Sequence, residues 1–227
     1  METKALAHTI FLRLVNFFGR PVWSNPIPPL DELISTILSQ NTNDMNRDRA
    51  FNTLRQRFPT WEEVRDTPVE AVIDAIRTAG LANQKGRRIQ EVLRAITAEH
   101  GSLQMNFLYQ MAPEEIHAWL SKFKGVGPKT TAIVMQFSLG IPAFPVDTHI
   151  YRVSGRLGLR PEAMTVEQAH PHLSALFNPE DYYAAHLLLI RLGREICQAR
   201  RPNCTACPLQ DICPYFQHFK LEGDDQA

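Results

Sequence analysis

The fold is decided by residues 123–156, which read FKGVGPKTTAIVMQFSLGIPAFPVDTHIYRVSGR. A helical pattern at 113–123 precedes the turn formed by Gly125, Val126 and Gly127. Proline needs no N–H donor at a first helical position, so a second helix is predicted to begin at Pro128. The glycines let the backbone approach a partner closely, and a helix N-terminus attracts phosphate. The stretch therefore predicts a helix, a glycine hairpin that binds phosphate groups, and a second helix.

Lys129 and Asp147 are the residues of this stretch that can carry chemistry. Lysine is not favoured in a first helical turn, because its charge opposes the helix dipole. The dipole and partial burial favour a neutral amine, the form in which lysine is a nucleophile. Asp147 fits the N-cap of a helix over residues 148–156, and its ionised carboxylate could also stabilise developing positive charge or help to deprotonate Lys129. This pair indicates chemistry on nucleic acid.

The two motifs resemble the helix-hairpin-helix plus Gly/Pro-Asp motif of DNA glycosylases of the endonuclease III superfamily. The string GVGPKT resembles the hairpin, Lys129 falls on the catalytic lysine, and Asp147 in PVDTHIYRV falls on the catalytic aspartate. The resemblance extends from about Leu30 to Cys213. Pro128 stands where an arginine is common, which removes one phosphate contact and leaves the backbone donors in place.

The resemblance implies an all-α, two-lobed fold. Residues 30–141 would form a six-helix lobe that ends in the hairpin, and residues 1–29 with 142–227 would form the second helical lobe. The DNA groove would run between the lobes, with Lys129 and Asp147 at its base. The partner would be double-stranded DNA that carries a damaged or modified base or an abasic site.

The implied reaction is that of a bifunctional glycosylase and AP lyase of base excision repair. The amine of Lys129 would attack the sugar carbon that carries a modified pyrimidine-type base. The base would leave, a Schiff base would form, and β-elimination would nick the strand on its 3′ side.

Four cysteines share one short segment with the spacing C-x6-C-x2-C-x5-C: Cys197, Cys204, Cys207 and Cys213. In an intracellular protein such clustering favours a metal over disulfides. Four thiolates suit either zinc or an iron–sulfur cluster, so the spacing alone leaves the metal open. The spacing is similar to that of the [4Fe-4S] loop of endonuclease III relatives. The resemblance therefore implies a structural [4Fe-4S] cluster that orders residues 200–214 and directs Arg200 and Arg201 toward phosphates.

The polar loop 39–44 follows a predicted amphipathic helix and is a candidate DNA contact. In the family this loop carries a glutamine that fills the space left by an extruded base. The corresponding position is Asn41, with Gln40 immediately before it. The filler is thus shorter or shifted, and the identity of the target base stays open.

The remaining DNA-binding candidates lie at helix ends. Leu81, after Gly80, is either an exposed wedge that enters the duplex or a partly buried residue at a helix end. His149 is predicted to have a structural or phosphate-contacting role. The hairpin contributes Gly125, Val126, Gly127 and Thr130.

Local signals elsewhere predict helices throughout the chain, because no alternating strand pattern of useful length occurs. Capping boxes are predicted at Thr60 with Glu63, at Thr67 with Glu70, and at Thr165 with Gln168.

The chain has 227 residues, of which 44% are hydrophobic, enough for one large or two small domains. Its 24 basic and 24 acidic residues give no net charge, but basic residues gather at 85–88 and 191–201, and the tail 222–225 is acidic. A local basic face is therefore allowed. No signal peptide or membrane span is recognised. We expect a soluble cytoplasmic monomer, nucleoid-associated in a prokaryote, without a membrane partner.

Three alternatives stay open. The target could be mismatched thymine or uracil, or 5-methylcytosine, because FPVDT and PNCTACP also resemble plant 5-methylcytosine glycosylases. The protein could be a non-catalytic helix-hairpin-helix DNA-binding module, but Lys129 together with Asp147 argues against that. A redox protein that uses the cluster for electron transfer would leave the hairpin unexplained.

Overall fold

The computed structural model describes residues 2–217, and within that range it contains helices and no strands, which confirms the predicted all-α class. The acidic tail 222–225 lies outside the described residues. The α-helices are α1 Thr3–Phe18, α2 Pro29–Ser39, α3 Asp44–Arg57, α4 Trp61–Asp66, α5 Val69–Ala75, α6 Ala82–His100, α7 Pro113–Ser121, α8 Pro128–Ile133, α9 Thr148–Arg156, α10 Val166–Ser174 and α11 Tyr182–Glu195.

Short helical turns of other types connect several of these helices. A π-helix, Val134–Ser138, continues α8 directly. The 3₁₀ turns are Arg77–Ala79, Asn106–Gln110, Pro179–Asp181, Cys204–Ala206 and Gln210–Ile212. Within the described part of the chain, no helix combines the length and the apolar character needed to cross a lipid bilayer.

The chain divides into two compact units, which are residues 26–141 and residues 1–25 with 142–227. The first unit therefore begins four residues before the predicted start at residue 30. Helices α2 to α8 lie in the first unit, and α1 and α9 to α11 lie in the second.

Helix α2 is the centre of unit 26–141, because it packs against α3, α6, α8 and the π-helix. Its sequence is apolar on nearly every turn, and the side chains of Leu33, Ile34, Ile37 and Leu38 are fully buried. A helix that is apolar on most of its surface is stable only in the interior. The end of α2 and the loop that follows it are consequently held against the rest of the unit.

Helix starts in this unit follow local capping chemistry. Thr60 accepts a hydrogen bond from the Glu63 amide at 3.2 Å, and Glu63 accepts one from the Thr60 amide at 2.8 Å, so the predicted capping box is confirmed. The box predicted at Thr67 and Glu70 is wrong. Pro68 occupies the N-cap of α5 without a side-chain bond, because the Thr67 amide closes the last turn of α4 on the Glu63 carbonyl.

Helices α1, α9, α10 and α11 share the core of the second unit. Helix α11 packs against both α9 and α1, and its Leu188, Leu189 and Leu192 contribute to that core. Helix α10 starts with the predicted box, in which Thr165 and Gln168 exchange hydrogen bonds at 3.0 and 3.3 Å. This packing fixes the direction of α9, which begins immediately after Asp147.

Candidate functional site

The glycine hairpin has the geometry that its sequence predicts. Gly125 has φ +79°, a left-handed conformation that favours glycine, and buried Val126 donates its amide to the Phe123 carbonyl at 3.0 Å. Gly127 is the N-cap of α8, which starts at Pro128 and has no side-chain cap. The amides of the first turn of α8 are therefore left for a ligand, and phosphate is the ligand that helix N-termini favour.

Lys129 is in that first turn, and its side chain is partly buried. Within residues 26–141, its ammonium makes no hydrogen bond or ion pair. The next residue, Thr130, is buried, with only 4% of its surface exposed. The lysine thus lies at the edge of the hairpin, and its nitrogen has no partner within this unit.

The side chain of Gln40 connects the hairpin to helix α6. Its amide nitrogen donates to the Gly125 carbonyl at 2.9 Å, and its amide oxygen accepts from Arg88 at 2.8 Å. The structure therefore brings two predicted DNA-binding residues together, but it uses both polar atoms of Gln40 for contacts within the unit. Arg88 was not predicted as a site residue.

Asn41 and Leu81 lie at the tips of two neighbouring connections in the same unit. Both residues are exposed, and both have positive φ, +52° for Asn41 and +48° for Leu81. Half of the Leu81 surface is exposed, which favours the wedge interpretation over the buried one. Positive φ is uncommon for residues other than glycine and concentrates at functional positions.

Lys85 joins these two connections from the interior. Its side chain is 2% exposed, and its ammonium donates to the carbonyls of Leu38 at 2.7 Å and Ala79 at 2.8 Å. These carbonyls precede Asn41 and Leu81 in the chain. The sequence allowed a local basic face at residues 85–88, but Lys85 is buried and does not contribute to one, because nothing in the local pattern distinguishes a buried lysine.

Asp147 is the N-cap of α9, as predicted, and accepts a hydrogen bond from the Ile150 amide at 2.8 Å. Its carboxylate is partly buried, and one oxygen is engaged in the cap. The backbone that leads to it is fixed by buried His186, whose Nδ1 lies 2.9 Å from the Pro145 carbonyl oxygen. The cap therefore orients the carboxylate.

His149 lies in the first turn of α9 and is partly buried. Arg152 lies within hydrogen-bond distance of this ring, 3.2 Å from His149 Nδ1. Burial lowers the pKa of His149. The lowered pKa favours the neutral ring at pH 7, which is compatible with the predicted structural or phosphate-contacting role.

The four cysteines line one small cavity in the second unit, and none of them forms a disulfide. Within residues 2–217, no three side chains of His, Cys, Asp or Glu are close enough to hold a single metal ion. Four thiol side chains that line one cavity are a donor set that suits a metal centre. Burial raises the pKa of Cys207 to about 11, and thiolates in such a cavity need bound cations to offset their charge.

Helix α9 connects directly to this cysteine segment. Arg156 donates to Cys197 Sγ at 3.4 Å and to the Gln198 carbonyl at 2.7 Å, and its guanidinium lies over the ring of Tyr215. Arg152 donates to the Cys197 carbonyl at 3.1 Å. Ligand contacts of this kind orient metal-binding residues. Sequence reasoning did not identify either arginine, because their partners lie more than 40 positions away.

Comparison with known proteins agrees with this geometry. Residues 34–179 match the HhH-GPD superfamily of base excision DNA repair proteins, and residues 197–213 match the iron–sulfur binding domain of endonuclease III. The chain is 33% identical to an endonuclease III of Sulfolobus acidocaldarius over 81% of each chain. It is also 33% identical to an endonuclease III of Thermotoga maritima over 83% of this chain and 84% of that protein.

A solved structure of a non-covalent endonuclease III–DNA complex has a TM-score of 0.84 to this chain, with 27% identity, and the match covers 97% of this chain and 100% of the other. The predicted two-lobed glycosylase fold is thereby confirmed, as is an iron–sulfur centre at the four cysteines. The chain belongs to the HhH-GPD superfamily of base excision DNA repair proteins and, within it, to the endonuclease III family of DNA glycosylases.

Proposed function

We propose that this DNA glycosylase is bifunctional: it removes a modified pyrimidine-type base from double-stranded DNA and then cleaves the strand as an AP lyase. The observation that carries the proposal is Lys129, whose partly buried ammonium makes no hydrogen bond or ion pair within its unit. A lysine that lies beside the predicted phosphate-binding hairpin and has no partner in its unit is better suited to nucleophilic attack than to stabilising the fold. One structurally similar protein was solved as a trapped endonuclease III–DNA covalent intermediate, with 28% identity and a TM-score of 0.82.

The reaction begins when the neutral amine of Lys129 attacks C1′ of the extruded nucleotide. The base leaves with the electron pair of the C1′–N bond. Loss of a proton from the attacking nitrogen and opening of the sugar ring give a Schiff base between Nζ and C1′. Removal of a C2′ proton then expels the 3′ phosphate, which breaks the C3′–O bond and nicks the strand. Extrusion precedes these steps, because C1′ is not accessible to the amine within the base stack.

Asp147 acts on the same nucleotide through its charge. The N-cap of α9 orients the carboxylate, whose negative charge can stabilise the positive charge that develops on the sugar. The same carboxylate can accept the proton that Lys129 must lose. The cap and the chemistry use different properties of one group, the hydrogen-bond acceptor and the negative charge.

The cysteine segment holds a [4Fe-4S] cluster whose role is structural. When bound, the cluster supplies positive charge that four thiolates require, and it fixes the loop over residues 200–214. Arg200 and Arg201 are exposed on this loop and would contact phosphates of the duplex. Arg152 and Arg156 hold the start of the segment against α9.

We assign the two compact units to the two lobes of the glycosylase, the hairpin lobe over residues 26–141 and the cluster lobe formed by the rest. The enzyme is expected to act as a monomer in the cytoplasm, where it would associate with the nucleoid of a prokaryotic cell. The DNA-contacting residues of the hairpin lobe are Asn41, Leu81, Gly125, Val126, Gly127 and Thr130, and His149 contributes from the other lobe.

The test is incubation with a panel of duplexes, each carrying one modified base, with borohydride present in parallel. Oxidised pyrimidines should be excised and nicked, and the enzyme should be trapped on the same duplexes. Activity confined to mismatched thymine or uracil, or to 5-methylcytosine, would move the specificity to those bases. Tight binding without excision, nicking or trapping across the panel would overturn the proposal in favour of a non-catalytic binding module.

A further inference from the structure

Gln40 is the residue of the loop 39–43 whose side chain is most fully committed within the unit. It donates to the carbonyl of Gly125 and accepts from Arg88, so its amide nitrogen and its amide oxygen both have partners. The residues it joins are 85 and 48 positions away in the chain. Gln40 therefore connects the loop 39–43 to the hairpin and to the first turns of α6.

Arg88 occupies the space directly beside Gly125. A Cβ atom built on Gly125 would lie 2.3 Å from the guanidinium carbon of Arg88, so the hairpin and the arginine can approach this closely only because residue 125 has no side chain. The positive φ of Gly125 independently favours glycine. The guanidinium therefore packs directly against the hairpin backbone at Gly125.

Asn41 has the opposite character. Its side chain is exposed, it makes no hydrogen bond within residues 26–141, and its φ of +52° places it at the tip of the loop. Asparagine tolerates this left-handed conformation better than most residues. The loop thus presents Asn41 outward while Gln40 turns back to the hairpin.

We propose that Gln40 and Arg88 form a brace that fixes the hairpin 125–127 against the loop 39–43, so that Gln40 positions the DNA-binding surface and Asn41 is the side chain that enters the duplex. The brace rests on DNA binding by these two segments and does not depend on the lyase step. Both residues are positioning residues, because neither reaches the reacting atoms.

The brace predicts non-additive losses of DNA binding. Gln40→Ala and Arg88→Met should each weaken binding of a duplex with a stable tetrahydrofuran abasic analogue by about three- to tenfold, the range expected when one hydrogen bond is lost. The double variant should bind about as weakly as either single variant, because each change breaks the same connection. Additive losses would overturn the brace.

The salt dependence of binding separates the brace from a direct phosphate contact by Arg88. An arginine that binds phosphate releases counterions, so its loss would lower the slope of log K against log salt by about one. We expect Arg88→Met to leave that slope unchanged. A reduced slope that persists in the Gln40→Ala background would assign Arg88 to the phosphate and contradict the proposal.

Single-stranded DNA separates the brace from a gap filler, since no gap opens in a strand without a partner. Gln40→Ala should weaken binding of single-stranded and duplex abasic DNA by similar factors, whereas Asn41→Ala should affect the duplex alone. A loss confined to the duplex in Gln40→Ala would make Gln40 the filler. Hydrogen exchange of the Val126 amide, which donates to the Phe123 carbonyl, gives a second readout without DNA, and it should be faster in Gln40→Ala than in the unmodified protein. These binding results stand even if no adduct is ever trapped, so failure of the lyase proposal is recognised separately.

Discussion

The buried ammonium of Lys85 donates a hydrogen bond to the carbonyl of Leu38 at 2.7 Å, at the end of helix α2. A second bond, to the Ala79 carbonyl, ties the connection before Leu81 to the same nitrogen. A buried charge is costly unless it is fully used, and here it satisfies two carbonyls at helix ends that have no helical partner. The segments that carry Asn41 and Leu81 therefore depend on a single interior lysine.

Replacement of Lys85 by Met should destabilise the protein at neutral pH. Two buried carbonyls would lose their partner, and each orphaned group costs about 1–3 kcal/mol, so we expect a loss of about 2–6 kcal/mol. Urea unfolding measures it. Arg87→Met is the matched control, because Arg87 is exposed on the same helix. Equal unfolding midpoints for the two variants would show that Lys85 contributes no more than a surface residue.

The pH dependence of stability should also differ between the unmodified protein and Lys85→Met. Burial, with a smaller contribution from Arg88, lowers the pKa of Lys85 from 10.5 to about 8. Between these values the unfolded chain binds more protons than the folded chain, so the contribution of Lys85 to stability increases as pH rises from 8 to 10.5. The difference in unfolding free energy between the two proteins should therefore grow from pH 7.5 to pH 9.5. A constant difference would mean that Lys85 titrates normally.

The two hairpin glycines should respond differently to alanine. Gly127 has negative φ, and a Cβ atom there would meet nothing within 4 Å, so Gly127→Ala should fold with unchanged stability. The added methyl group nevertheless stands where a phosphate would approach, and binding should weaken for all DNA sequences alike. Gly125→Ala should instead lower the thermal midpoint, because the positive φ disfavours alanine and the Arg88 guanidinium would have to move away from the added methyl group. If Gly127→Ala bound DNA with normal affinity, the hairpin would not be part of the DNA interface.

Asp147 allows its structural and chemical roles to be separated. Asp147→Asn keeps an oxygen that can cap α9 and should retain stability, whereas Asp147→Ala should lose about 0.5–2 kcal/mol. Both variants lack the charge and should excise the base far more slowly while still binding the lesion. Thermal unfolding and single-turnover kinetics measure the two effects. An Asp147→Asn protein with full activity would limit Asp147 to capping.

The cysteine segment predicts a brown protein with broad absorption in the visible range and about four irons per chain. Cys204→Ser should lower the yield of folded protein, because metal binding is coupled to local folding. Anaerobically purified protein is the sample to assay for metal content. Stoichiometric zinc without iron would show that the cluster assignment is wrong.

The sequence predicted those features that depend on a few neighbouring residues. Pro128 after two glycines determines where α8 begins, and Asp147 caps α9 through an amide three positions away. The Thr60–Glu63 box is equally local, whereas at Thr67 the end of the preceding helix took precedence over the cap. Local chemistry was therefore reliable except where two elements compete for one residue.

The contacts that organise the site could not be predicted, because they join distant parts of the chain. Gln40 reaches Gly125 across 85 positions, and Lys85 reaches Leu38 across 47. A basic side chain in a polar stretch has the same pattern whether it is exposed like Arg87 or buried like Lys85. The continuation of α8 as a π-helix, with Ser138 buried, also has no local sequence signal.

The most direct test of the account is borohydride trapping on a cognate lesion with the unmodified protein and with Lys129→Gln. The substitution removes the amine and leaves the hairpin backbone in place, so binding should persist. We expect a covalent protein–DNA adduct with the unmodified protein and none with Lys129→Gln at equal occupancy of the DNA. An adduct that still forms with Lys129→Gln would assign the nucleophile to another amine, with the N-terminal amine the first to test, and would contradict the central role of Lys129.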